Sequence, residues 1–180
     1  MGTQCKVYPS IPYIEYHSCV EGYLRMNNED TRPDVAKRDF RAPTPNRMWV
    51  VDITYGHTCK GCVYAVFVTD VFSRKIVGWV LSDSMRTTSL PLQALNQAVV
   101  SAKETASLIH HSDHGSQYAS IVYNDTLTNA GIRPSTGTIG DSYNNALAEN
   151  VNGSYKNELI HTRQRNDVID VEIATFQWVP

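Results

Sequence analysis

The sequence predicts an α/β fold: a mixed five-stranded sheet flanked by helices. Three features carry this. Apolar, β-rich stretches follow one another from Met48 with short polar breaks, helical periodicity sets in after Thr88, and strand-like and helix-like segments then alternate. Strands joined by tight connections run antiparallel, and the strand–helix alternation that follows gives a sheet of mixed direction with helices on its faces.

The elements follow in order. "MWVVDITY" (48–55) is rich in β-branched and aromatic residues and reads as a first strand. "CVYAVFVTDV" (62–71) and "KIVGWVLS" (75–82) read as the second and third, joined by a short hairpin through "FSR". "TSLPLQALNQAVVSAKE" (88–104) is helical, with Leu92, Leu95, Val99 and Ala102 at three-to-four spacing behind a Thr/Ser entry. "SLIHHSD" gives a fourth strand, "QYASIVYNDTLTNAG" a helix closed by Gly131, and "IRPST" a short fifth strand. "NNALAENVNGSYKNELI" (144–160) is a helix entered through Asn144, and 167–178 is helical again. This order is the architecture of ribonuclease H-like nucleotidyl-transfer cores, although order alone fits other α/β folds.

Residues 1–47 differ from the rest. The segment from Arg25 to Arg47 is charged and proline-bearing, with six basic residues against four acidic ones, and reads as an extended arm or linker. It is either a solvated arm or one that tracks a DNA strand. No apolar run approaches the ~20 residues that span a bilayer, and no secretory signal precedes the core. The net charge of −2 does not by itself announce a nucleic-acid binder. Cys59 and Cys62 have the C-x-x-C spacing of a zinc or redox half-site, but no second close pair completes a four-ligand set. Reduced thiols and a cytoplasmic location are expected, with Cys59 in a turn and Cys62 starting a strand.

Three carboxylates stand out. Asp52 interrupts an apolar strand, where desolvating it is costly without a cation or donors. Strand alternation puts Val50, Asp52 and Thr54 on one face. Asp113 ends the fourth strand, where open α/β sheets place ligands. Asp70 and Asp83 lie at chain reversals and read as turn residues. In the 144–160 helix, Leu147, Val151, Tyr155 and Leu159 form the packing stripe, and Glu149, Asn152 and Lys156 share the other side. That side suits metal and phosphate contact, and suits a solvated face equally well. Three converging carboxylates repel unless they bind hard ions such as Mg²⁺ or Mn²⁺. Two such ions support phosphodiester displacement.

The blocks "NRMWVVDITY", "DVFSRKIVGW", "LIHHSDHGSQY", "GIRPSTGTIGDSYNNALAENVNGSYKNELI" and "VEIATFQWV" closely resemble the integrase core of bacterial insertion-sequence transposases of the DDE type, relatives of retroviral integrases. The resemblance runs from about Arg32 to Val179. It implies Asp52, Asp113 and Glu149 as catalytic and metal-binding residues, since the family's D-x35-E spacing is met. It further implies two Mg²⁺ (or Mn²⁺) ions, cleavage and strand transfer of element ends, and DNA and further copies of the chain as partners. Lys156, Asn152, Gln117, Ser116, His114 and Arg47 are then the expected DNA contacts, with Gly115, Tyr118 and Asn145 shaping the site. His110 and His111 are given positioning roles at most.

Departures from the family pattern are Asn144, where Asp is frequent, and His114, where Arg is frequent. Family members usually carry a helix-turn-helix region before the core and a basic segment after the "FQWV" block. Residues 1–47 are therefore expected to be an arm left from a preceding region, and 48–180 a catalytic core shortened at its C-terminus. The missing basic parts would account for the acidic pI of about 6.3. The competing expectation is a catalytically silent, truncated transposase acting as a DNA-binding or interaction module.

Overall fold

The computed structural model describes residues 32–37, 39–84, 90–102, 104–113, 115, 117–137 and 146–179. In chain order these form β1 (Met48–Thr58), β2 (Gly61–Asp70), β3 (Ile76–Ser82), α1 (Leu90–Ser101), β4 (Ile109–Ser112), α2 (Ile121–Asn129), β5 (Arg133–Thr136), α3 (Ala146–Tyr155) and α4 (Val168–Trp178). The five strands make one sheet in the order β3-β2-β1-β4-β5. The β1–β2 and β2–β3 pairs are antiparallel, and β1–β4 and β4–β5 are parallel. The expected mixed sheet is thus observed.

Both sheet faces are covered. Trp49, Val51, Ile53, Val66 and Val68 meet Leu90, Ala94, Leu95 and Ala98 of α1 and Tyr123 and Leu127 of α2 in the main core. The opposite face packs Val63, Ala65 and Phe67 against Tyr155, Leu159 and Ile160, with Val171 of α4. Alternation along β2 explains this: odd and even positions face opposite ways, and both faces are apolar because both are buried. At Gly78 the backbones of β3 and α1 come so close that a Cβ would sit 2.1 Å from the Ala94 carbonyl oxygen. Only glycine permits that approach.

Helix ends differ from the sequence expectation in instructive ways. The segment from Gln117 to Ser120 is a turn, and α2 begins only where the Ser120 hydroxyl accepts from the Tyr123 N–H. Gly131, at φ +68°, closes it as expected. Asp167 caps α4 by accepting from Asp170 N–H. After Tyr155 the helix widens into a π turn over Lys156–Ile160. That extra residue per turn lets adjacent Leu159 and Ile160 both be buried. The Asn144 cap position lies outside the described residues.

Asp70 serves the turn after β2, accepting from the Asn46 N–H and from the Ser73 N–H and hydroxyl. The stretch from Arg32 to Ala36 lies along the β5 edge. Pro33 O accepts from Thr136 N–H, and the Ser135 hydroxyl accepts from the Val35 and Ala36 N–H groups. One expectation is corrected: Cys59 and Cys62 are disulfide-bonded, not reduced thiols. The β1–β2 register ends at Thr58↔Gly61, so Cys59 lies in the tight reversal and Cys62 in β2, opposite His57.

Candidate active site

The site begins with strand register. In the parallel β1–β4 pair, Met48 faces Ile109 and Val51 faces Ser112. Asp52 and Asp113 are the residues that follow the last pair, and the Asp113 charge acts on Asp52. The 61-residue separation of the two aspartates is therefore the register offset of the pair. Pairing with β4 stops at Ser112 while β1 runs on to Thr58, so Asp113 follows the carboxyl end of β4 beside the continuing β1.

Helix α3 supplies the rest. Ala148 packs with Met48 and Val50 in a third apolar cluster that seats the helix beside β1. The Asn152 side-chain amide donates to Asp52 Oδ2 at 2.8 Å, tying helix to strand at the carboxylate itself. Asp52 Oδ1 accepts from the Ile53 N–H at 2.7 Å. Glu149 lies one turn before Asn152 and is exposed.

Electrostatics join the three carboxylates. Asp52 is raised from 3.8 to about 7, first by burial and then by the charge of Asp113, with Glu149 adding to the rise. The Ile53 N–H and the Lys156 ammonium pull the other way. Among the described residues no three His, Cys, Asp or Glu side chains are gathered tightly enough to enclose a metal ion. The three carboxylates share a field without forming a closed cage. Oxygen donors alone, at the end of a parallel strand pair, fit Mg²⁺ or Mn²⁺.

The other expected contacts divide. Asn152 is buried and turned onto Asp52. Lys156 lies with its Nζ 4.7 Å over the Tyr55 ring. Gln117 is buried beside Gly115, where a Cβ would come within 2.7 Å of its side-chain oxygen. Arg47 is exposed and donates to the Ala106 carbonyl at the start of β1 and β4, roughly 16 Å of strand before Asp52. It is at the far end of the pair from Asp113. His114, Ser116 and Asn145 lie outside the described residues.

His110 and His111 are fully buried structural residues. Burial pushes His110 down to about 3, so it is neutral, and its Nε2 pairs with the Tyr123 hydroxyl at 3.2 Å. His111 Nδ1 meets Ser135 Oγ at 3.0 Å, and Phe40 packs edge-on against its ring. Tyr55 was missed by sequence reasoning. It sits on β1 three residues after Asp52, and no local spacing links it to Lys156. The Asn152–Asp52 bond was missed for the same reason.

The integrase core domain family matches residues 42–142, which takes in both aspartates and stops short of Glu149. The transposase of insertion sequence element IS629 from Shigella sonnei is 47% identical over 146 residues, covering 81% of this chain and 49% of that protein. The chain spans about half the length of the curated relatives it matches. The HTLV-2 integrase catalytic core domain, solved in complex with magnesium, aligns with TM-score 0.57 at 21% identity, over 76% of this chain and 87% of that one. The catalytic domain of Mos1 mariner transposase aligns with TM-score 0.61 at 9% identity, over 74% of this chain and 70% of that one. At those identities the two structures establish the fold, and the sequence matches establish the kinship. This chain belongs to the integrase core domain family, among the DDE-type transposases of bacterial insertion sequences.

Proposed function

We propose that this chain is the catalytic core of a polynucleotidyl transferase that cuts DNA at the ends of an insertion sequence and joins them to a target. The observation that carries the reading is Asp52: a desolvated carboxylate raised by the charges of Asp113 and Glu149, one residue past the Val51↔Ser112 pair, with Lys156 the counter-charge that lowers its pKa. Such a group is costly to the fold unless it meets a cation.

Asp52, Asp113 and Glu149 would hold the ions. Bound there, Mg²⁺ or Mn²⁺ would activate the attacking oxygen and stabilise the leaving one in phosphodiester displacement. The chain's own part is preorganisation. The β1–β4 pairing ends one residue before each aspartate, the Asn152 amide and Ile53 N–H hold both oxygens of Asp52, and Lys156 would offer positive charge for a DNA phosphate. Buried His110 stays neutral and takes no part in proton transfer.

Magnesium in the HTLV-2 structure supports the choice of ion, and its trimeric and dimeric forms support self-association. No helix among the described residues is long and apolar enough to cross a membrane. The proposed setting is the bacterial cytoplasm.

The test is a cleavage and strand-transfer assay with Mg²⁺, using duplexes that carry the ends of the encoding element. Asp52→Asn, Asp113→Asn and Glu149→Gln should each abolish both products while DNA binding persists. Activity retained in any of them would refute the triad. Cutting without joined product would point instead to a nuclease.

A further inference from the structure

We propose that Tyr55 is a positioning residue for DNA: its ring face holds the Lys156 ammonium beside the carboxylates without neutralising it. The inference rests on the proposed DNA role of Lys156 and goes beyond it.

Lys156 begins the π turn after α3, and its Nζ lies 4.7 Å over the Tyr55 ring. Its charge also reaches Asp52, which it stabilises in the ionised form. Among the described residues it makes no ion pair with a carboxylate. The ring is braced from two sides. Tyr55 packs on the main core, and His57 meets it edge-on, with centroids 6.3 Å apart and planes at 87°.

A carboxylate partner would fix a lysine equally well but would cancel its charge at the place a phosphate must bind. An aromatic face attracts the cation through its quadrupole and leaves the formal charge intact. It also restricts a long side chain, so less rotamer entropy remains to be lost when a phosphate arrives. Nothing about Tyr55 itself needs to touch DNA.

The experiment measures binding of a short mixed-sequence duplex to the full chain by fluorescence anisotropy across a salt series. Lys156→Ala should weaken binding and lower the log–log salt slope by about 0.9, one phosphate contact. Tyr55→Leu should weaken binding about two- to fivefold, the worth of a cation–π contact of ~0.5–1 kcal/mol, with the slope unchanged. Tyr55→Phe should bind as the parent does. In the Lys156→Ala background, Tyr55→Leu should cost nothing further.

An equal loss from Tyr55→Leu in both backgrounds, or a Tyr55→Phe variant as weak as Tyr55→Leu, would overturn the proposal and leave the DNA role of Lys156 standing. Unchanged affinity and slope in Lys156→Ala would overturn both. Should Tyr55→Leu fail to fold, phenylalanine and its progressively fluorinated analogues at position 55 keep the shape while weakening the negative ring face. Affinity falling along that series supports the assignment, and a flat series overturns it.

Discussion

Removing the charge of Asp52 should stabilise the metal-free protein. The native carboxyl titrates near 7 against 3.8 in an ordinary environment, a rise of about 3 pH units. Below about pH 4 the group is protonated in folded and unfolded chains alike and costs nothing. Between about pH 4 and 7 the folded chain keeps the proton that the unfolded chain releases, so stability falls as pH rises. Above about pH 7 the full penalty is present, at most ~4 kcal/mol at about 1.4 kcal/mol per unit. Partial exposure of Asp52 and the remaining polarity of an amide reduce the recoverable part to roughly 1–3 kcal/mol. Asparagine fits the existing bonds. Its oxygen can keep the Ile53 N–H, and a flipped Asn152 amide can accept from its nitrogen through the Asn152 Oδ1, which is buried without a partner. Thermal melts of the parent and Asp52→Asn in EDTA should therefore coincide near pH 4 and separate near pH 8. The variant should melt roughly 3–10 °C higher there. Mg²⁺ should raise the parent and leave the variant where it is. A variant equal to or below the parent near pH 8, or a gap indifferent to pH, would refute the reasoning about this carboxylate.

Other outcomes follow from the same geometry. Asn152→Ala should lower strand cleavage about 10–100-fold by freeing the proposed metal-binding carboxylate of Asp52, with duplex affinity unchanged; a loss confined to DNA affinity would return Asn152 to the role of a DNA contact. Gly78→Ala should destabilise the fold by about 3 kcal/mol in urea titration, because the new Cβ meets the Ala94 carbonyl and the Ala98 N–H, backbone atoms that cannot swing aside. Ser135→Ala should cost about 2–3 kcal/mol. It strips the Val35 and Ala36 N–H groups of this acceptor and removes the contact of His111 Nδ1 with Ser135 Oγ, and a change under about 0.5 kcal/mol would mean the stretch from Arg32 to Ala36 does not hold to the β5 edge.

Local pattern determined most of the architecture. Runs of β-branched residues at 48–55 and 62–71, the three-to-four spacing of Leu92, Leu95 and Val99, and the glycine at 131 specify elements through contacts a few residues away. The same is true of the paired aspartates. A carboxylate inside an apolar strand and another at a strand end are conspicuous wherever they occur, and their spacing turned out to be the register of two neighbouring parallel strands. The boundaries that moved did so for short-range reasons visible only once formed, such as the Ser120 cap and the π turn that buries Ile160. What tertiary structure alone decided is the wiring of the site. Glu149, Asn152 and Lys156 share one helix side in sequence, yet Asn152 is drawn into a bond with Asp52, Lys156 onto Tyr55, and Glu149 is left exposed. Periodicity assigns a residue to a face, but only the packing of α3 across β1 determines which atom meets which. Those contacts join positions far apart in the chain, and local spacing carries no signal for them.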